Sequence, residues 1–557
     1  MVLIACSAPR EPDVPDVGTS ASAKDGTEQN ALFERLLDAF IFGRPAMCRD
    51  LGFHAECDGR VADYSEAGIL DRVKSVEAIH RALVAMPPTA DANAALDRTL
   101  LDMAAQDEMF HLRDLELWRR RPASYEELFG LDEYLVREYA PLDQRARALL
   151  AHAERALPQV PNIAKNLKGP LPRTFVQTDI EIFRGYGEYL RGDVVAILAG
   201  VKDEKLRSRA TKTVKKLADA ADGVAKHLEV DELARGNQSY VLGRDRYLKL
   251  LAVQEALELP IDQLEAMAED DLARNKRAYE SLVAKGVREE RPAAADLFEQ
   301  ARAVTSDAKR FIEERKLVTI PAGGKVAVKE TPPFMRWNAA FLYPPGPFEA
   351  LGLVAYYYVT LPDPKWSKKE QDEYVMSFGR LVATGVHEVY PGHFVQGVWS
   401  QRAPTRAQKA LQAYSFVEGW AHYTEQLMVD EGFRKEDPQT RLGQLSDALL
   451  RDCRFVVSIG LHTKGMSLEQ AEKRFVEDCK QDKATASEQA ARGTFDPGYF
   501  AYTLGKLQLL ALRDEVQRSL GDAFSLRAFH DAVLAHGGPP VPILRPLVLR
   551  DLGVPAT

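Results

Sequence analysis

The sequence holds no run approaching the roughly 18 to 20 consecutive apolar residues of a bilayer-spanning helix, so it excludes a helical membrane span. It lacks positive balance as well. The formal net charge is -9, and a field of that sign repels nucleic acid and anionic membranes. No C-x-x-C pair occurs, which removes the common thiolate zinc and redox motifs. No fixed period recurs either, which removes a solenoid. Cysteine is scarce, five residues in 557. With Cys6 set aside, Cys48, Cys57, Cys453 and Cys479 form two sequence-local pairs, open to being disulfides of an oxidising compartment or buried thiols.

What is present is ordinary for a folded, soluble protein: 46% hydrophobic and 28% charged residues. The N-terminal segment contains Leu3-Ile4-Ala5-Cys6, which resembles the lipobox of bacterial lipoproteins without the basic n-region and longer apolar run of a full signal peptide. It reads as a truncated lipoprotein start with a candidate lipid anchor at Cys6, followed by a Ser, Pro, Asp and Ala rich tether to about Asn30, the two together filling residues 1–30. The expected location is periplasmic or membrane-anchored, with a cytoplasmic protein as the alternative.

Residues 31–557 are expected to form one mainly helical domain. Residues 31–316 read as successive amphipathic helices rich in Ala, Leu, Glu and Arg, a helical shell. Residues 317–366 are a strand and loop segment, in which Leu353 to Thr360 is aromatic, β-branched and bounded by Pro and Gly. The flanking prolines suggest a sheet edge, free to pair with an extended peptide. Residues 367–557 form the half that carries the chemistry. A helix is expected to open at the capping box Ser367 to Glu370 and run into His387, and another to open at Thr405 to Gln408 and run to about Glu431.

Hydrolysing an amide with a metal requires about three protein ligands, an open position for water and a carboxylate to take its proton. The segment His387-Glu388-Val-Tyr-Pro391-Gly392-His393 offers two imidazoles and an adjacent base. The histidines are six apart rather than the usual four. On a regular helix that separation turns about 600°, which leaves the rings roughly 120° apart and unable to share an ion. A distortion at Pro391-Gly392 is therefore required. Glu418, His422 and Glu425 share one face of the next helix. Glu418 is the preferred third ligand, and His422 or Glu425 would orient a ligand from behind. The competing reading is a helix junction capped by Pro-Gly, with His387 and Glu388 satisfying one another.

His387-Glu-x-Tyr-Pro-Gly-His393 followed by Glu418-Gly-Trp-Ala-x-Tyr423-x-Glu425 resembles the bacterial domain-of-unknown-function 885 family. The likeness extends upstream to Thr331-Pro-Pro-Phe and Leu361-Pro-Asp-Pro-Lys-Trp366, and downstream to Gly460-Leu-His462, Asp496-Pro-Gly-Tyr499-Phe-Ala-Tyr502 and Phe529-His530-Asp531. It implies a mostly helical body with a deep active-site cleft, similar to helical zinc carboxypeptidases and oligopeptidases. It also implies His387, His393 and Glu418 as ligands of one zinc ion and Glu388 as base. Family members commonly carry Pro-Gly-Gln-Ala-x-x-Tyr where this chain has Tyr499, which bears on the residue that contacts substrate there.

An oxyanion donor is also needed, and Tyr502, Tyr499 and His462 are the candidates, in that order. Lys506 and Arg545 are candidates for holding a substrate carboxylate, and Tyr358 in the strand for positioning substrate. The leading expectation is a zinc-dependent hydrolase of peptide bonds. The alternatives are a zinc amidase or deacylase on non-peptide amides, and a non-catalytic peptide-binding lipoprotein. No partner beyond a peptide or small amide is indicated, and the oligomeric state is open.

Overall fold

A computed structural model describes residues 26–555 apart from 333–334, 337–338 and 364. The lipobox-like segment and Cys6 lie outside the described residues. The fold is mainly helical with one small sheet, as the sequence predicts. The chain divides into two compact units, one running to Gly169 and including Asp179–Asp231, the other comprising Pro170–Thr178 and the chain from Glu232 onward.

The principal helices of the first unit are α1 (Gly26–Phe42), α2 (Glu66–Ala85), α3 (Ala92–Met109), α4 (Leu142–Ala156) and α5 (Glu204–His227). α1 starts inside the stretch expected to be tether. Helix starts follow side-chain chemistry: Ser65 accepts from the Gly68 amide to open α2, and Asp91 from Asn93 and Ala94 to open α3. Buried Ile69, Val73, Val76 and Ile79 recur at helical spacing on the face that α2 turns to α3. Cys48 and Cys57 form a disulfide with Cα atoms 6.0 Å apart.

The second unit contains α6 (Ile261–Ala284), α7 (Leu297–Arg315), β1 (Lys325–Glu330), β2 (Ala340–Tyr343), β3 (Val354–Val359), α8 (Lys368–Tyr374), α9 (Phe378–Glu388), α10 (His393–Ser400), α11 (Arg406–Ala410), α12 (Tyr414–Asp430), α13 (Pro438–Thr463), α14 (Lys483–Phe495) and α15 (Ala501–Leu520). The sheet order is β1-β3-β2, with β3 parallel to β1 and antiparallel to β2. The tyrosine-rich strand is therefore central rather than at the edge. Its Ala355, Tyr357 and Val359 are buried in one core with side chains of α7, α9, α10, α12 and α15. β2 is the edge that meets α9. A second disulfide, Cys453–Cys479, has Cα atoms 6.2 Å apart.

Two long helices expected from periodicity are each divided. Ser377 accepts the Arg380 amide and starts α9 afresh three residues after α8 ends. Thr405 caps α11 as expected, but the chain leaves the helix after Ala410. The Ala413 amide then bonds the distant Gly538 carbonyl at 2.7 Å, after which α12 begins. In the second case a tertiary hydrogen bond takes the place of a helical one.

Candidate metal centre

α9 ends on His387 and Glu388, and α10 opens on His393. Between them the Val389 amide still bonds the Gly385 carbonyl at 3.1 Å, whereas the Gly392 amide reaches back to Val386 at 3.0 Å. The Tyr390–Pro391 peptide is cis. The chain thus leaves the helix between the histidines through a complete break, not a kink in one continuous helix. Gly392 folds over the end of α9 so closely that a Cβ there would overlap the His387 carbonyl. Trp420 of α12 donates its indole N–H to the Pro391 carbonyl at 2.9 Å, fastening the break to the helix that carries Glu418.

The break brings the His387 and His393 rings to a centroid separation of 4.6 Å at an interplanar angle of 86°. Oε2 of Glu418 lies 3.4 Å from Nε2 of each. A tetrahedron with ligand bonds of about 2.0 to 2.1 Å has edges of about 3.4 Å. That same oxygen is buried and has no hydrogen-bond partner among the described residues. Leaving a buried acceptor unsatisfied is costly, and a ring nitrogen at this distance does not satisfy it. One donor atom from each of the three residues falls within a 4.8 Å cluster, and two imidazoles with one carboxylate are a zinc-type donor set. The residues fit a divalent ion.

Behind the cluster, Oε1 of Glu425 lies 2.6 Å from Nδ1 of His387. Arg451 of α13 bridges both oxygens of Glu425, each at 3.1 Å, and His422 Nδ1 lies 3.4 Å from Oε2. Burial opposes the charge on Glu425, but Arg451 and then His422 hold it well below the usual carboxylate range. Burial and Arg451 oppose protonation of His387, yet Glu418 and Glu425 outweigh them and raise it to about 9. Burial also opposes charge on Glu418, which His393 and His387 nonetheless hold well below its ordinary value. Burial, then Lys506, pushes His422 down to about 3. An ionised Glu425 at Nδ1 selects the tautomer that turns Nε2 of His387 toward Glu418.

Glu388 is partly exposed, and its Oε2 accepts the Leu342 amide from the outer edge of β2 at 2.9 Å. Tyr357 of β3 is fully buried with its hydroxyl unpartnered among the described residues, and burial followed by the charge of Glu388 raises its pKa. Tyr358 projects to the other face of the strand, where it packs on Phe341 and Tyr356.

The profile of a family described as a bacterial protein of unknown function, DUF885, matches residues 45–548. The chain belongs to the DUF885 family. A candidate lipoprotein of unknown function from Shewanella oneidensis is 24% identical, with a TM-score of 0.73 over 93% of this chain and 99% of its own. A candidate lipoprotein from Colwellia psychrerythraea is 18% identical, with a TM-score of 0.75 over 94% and 99%. These likenesses show a shared fold. A Pyrococcus furiosus carboxypeptidase superposes at 11% identity with a TM-score of 0.41 over 94% and 96%, too loosely to bear on function. No curated protein matches the chain.

In this DUF885 chain Tyr502 stands beside the cluster, its ring stacked on His387 at 6.3 Å and 19°, with Tyr414 edge-on at 5.8 Å. Tyr499 and His462 are elsewhere in the core. Tyr499 is fully buried, and both ring nitrogens of His462 are engaged, with the Gly493 carbonyl at 2.8 Å and the Leu242 amide at 3.3 Å. The candidates for a substrate carboxylate have partners within the protein. Lys506 is fully buried with Asp271 at 2.6 Å, and Arg545 is paired with Glu515 at 2.8 Å. Burial outweighs the pull of Asp452 and lowers Lys506 to about 8. Arg451, Arg454 and Tyr414 escaped the sequence reading. Their signal was the pair Arg451-Asp-Cys-Arg454 within the otherwise apolar stretch from Ala448 to Leu461, and a tyrosine one helical turn before Glu418.

Proposed function

We propose that this chain is a zinc-dependent peptidase, with His387, His393 and Glu418 holding one ion and Glu388 acting as general base. The observation that carries this reading is the buried, unpartnered Oε2 of Glu418, which faces two imidazole nitrogens at 3.4 Å beside a partly exposed glutamate. A zinc ion held by this donor set supplies Lewis acidity, polarising a carbonyl and acidifying water. Glu388 takes the proton of the attacking water and passes it to the leaving amine, its orientation held by the Leu342 amide. Glu425, clamped by Arg451, fixes the His387 ring. Tyr502 is the donor for the developing oxyanion.

Peptides suit the site because the outer edge of β2 beside Glu388 offers backbone groups to an extended chain, the role first assigned to β3. The two disulfides favour an oxidising compartment, in keeping with a lipoprotein anchored through Cys6. Elemental analysis should find one zinc per chain. Glu388→Gln should lower peptide hydrolysis by about 10² to 10⁴-fold with zinc content unchanged. Full activity in that variant, or in rigorously metal-free protein, would exclude the mechanism.

A further inference from the structure

A buried arginine needs an anion, and Arg454 has none among the described residues. It is 8% exposed. Its Nε donates to Gln489 at 2.9 Å, its guanidinium carbon lies 5.0 Å from the centre of the Tyr502 ring, and no carboxylate among the described residues lies within ion-pair distance of it. The carboxylates beside its two neighbouring arginines are already taken: Glu425 by Arg451 and Asp496 by Arg492. Arg492 and Arg451 add like charge to an already desolvated group. Burying an uncompensated charge is expensive, so such a group persists where a bound ligand completes it. Tyr502 is the ring that stacks on His387, so a single aromatic side chain separates the Arg454 guanidinium from the candidate metal ligand.

We infer that Arg454 is the binding residue for the C-terminal carboxylate of a peptide substrate, making the site that of a carboxypeptidase. This rests on the peptidase reading above. With the Arg454 guanidinium 5.0 Å from the Tyr502 ring centre and that ring 6.3 Å from His387, an extended chain advancing about 3.5 Å per residue and a charge-assisted hydrogen bond of about 2.8 Å set the bond to be cleaved no more than about two residues from the chain end. Arg454 replaces Lys506 and Arg545 in this role, since both of those charges are neutralised internally. Gln489, 6% exposed, holds Nε and leaves the terminal nitrogens of the fork for a bidentate contact.

The test compares an N-acylated dipeptide with a free C terminus, its C-terminal amide, and an amidated peptide ending in Glu, on zinc-loaded protein. The free acid should exceed its amide by about 100-fold in kcat/KM, mainly through KM. In Arg454→Gln that ratio should fall toward one, and in Arg454→Lys, which keeps the charge and serves if the first variant does not fold, it should fall by about tenfold. Equal turnover of acid and amide by the wild type, a ratio preserved in Arg454→Gln, or cleavage of the Glu-terminated amide as fast as the free acid each overturns the assignment. Calorimetric binding of acid and amide to Glu388→Gln separates this proposal from its parent. A preference for the acid that requires Arg454, with no peptide hydrolysed by the wild type, retains the carboxylate site and removes the peptidase. Hydrolysis without that preference does the reverse.

Discussion

Glu425 is the residue on which the centre turns, because it carries a negative charge inside the protein that Arg451 and the His387 ring share. Arg451 bridges both of its oxygens, and His387 meets it at 2.6 Å. Removing the arginine leaves the carboxylate free to rotate and weakens its hold on the His387 ring. Arg451→Met should therefore lower zinc affinity about 10 to 100-fold, read by competition with a chromophoric chelator. Unchanged affinity would reduce Arg451 to a packing role. His387, Glu388 and His393 stood out as candidates in the sequence because two imidazoles and a carboxylate cluster within seven residues, and Glu418 because it shares one face of the next helix with His422 and Glu425. Arg451 and Arg454 carried only the weak signal of an apolar stretch around them, which does not distinguish an arginine that points inward from one that snorkels to solvent.

At the scale of elements, the site depends on how closely helices approach. A Cβ on Gly419 of α12 would meet the Gly505 Cα of α15 at 2.5 Å, and this close contact brings Tyr502 alongside Glu418. Periodicity gave the right element type throughout this region but the wrong continuity. Ser377 and the Ala413 to Gly538 bond interrupt helices whose apolar spacing runs on without a break. A separate tie joins elements of the first unit, where Glu108 of α3 meets Arg44 at 2.9 Å and Arg72 of α2 at 2.5 Å. Burial opposes its charge, but the two guanidinium groups hold it at about 2 against an ordinary value of 4.5. A folded value below the unfolded one means stability that is complete above about pH 4.5 and is lost as pH falls through about 2. The contribution is about 3 kcal/mol. Denaturant unfolding should show the first unit weakening across that window, and Glu108→Gln should flatten the slope; a wild-type slope that the variant leaves intact would assign it to other carboxylates.

For the whole molecule, the two disulfides close loops with sequence separations of 9 and 26 residues. In the chain-entropy estimate each is worth roughly 3 kcal/mol. Thermal unfolding in a strong reductant should occur at a clearly lower midpoint than in its absence, and the Cys453→Ser, Cys479→Ser double variant should lower the stability of the second unit. An unchanged midpoint would mean that the bridges contribute little. The sequence by itself determined the helical class and the small aromatic strand, and it named the two cysteine pairs and the donors His387, His393 and Glu418 as candidates. These follow from composition, from periods of 2 and 3.6 residues, and from donor types close together along the chain. Only the tertiary structure decided that β3 is central and that α9 and α10 are separate helices. It also gave Lys506 and Arg545 ion-pair partners inside the protein and left Arg454 without a carboxylate partner among the described residues. A strand's neighbours and a buried charge's partner depend on contacts between residues far apart in the chain, which no local pattern encodes.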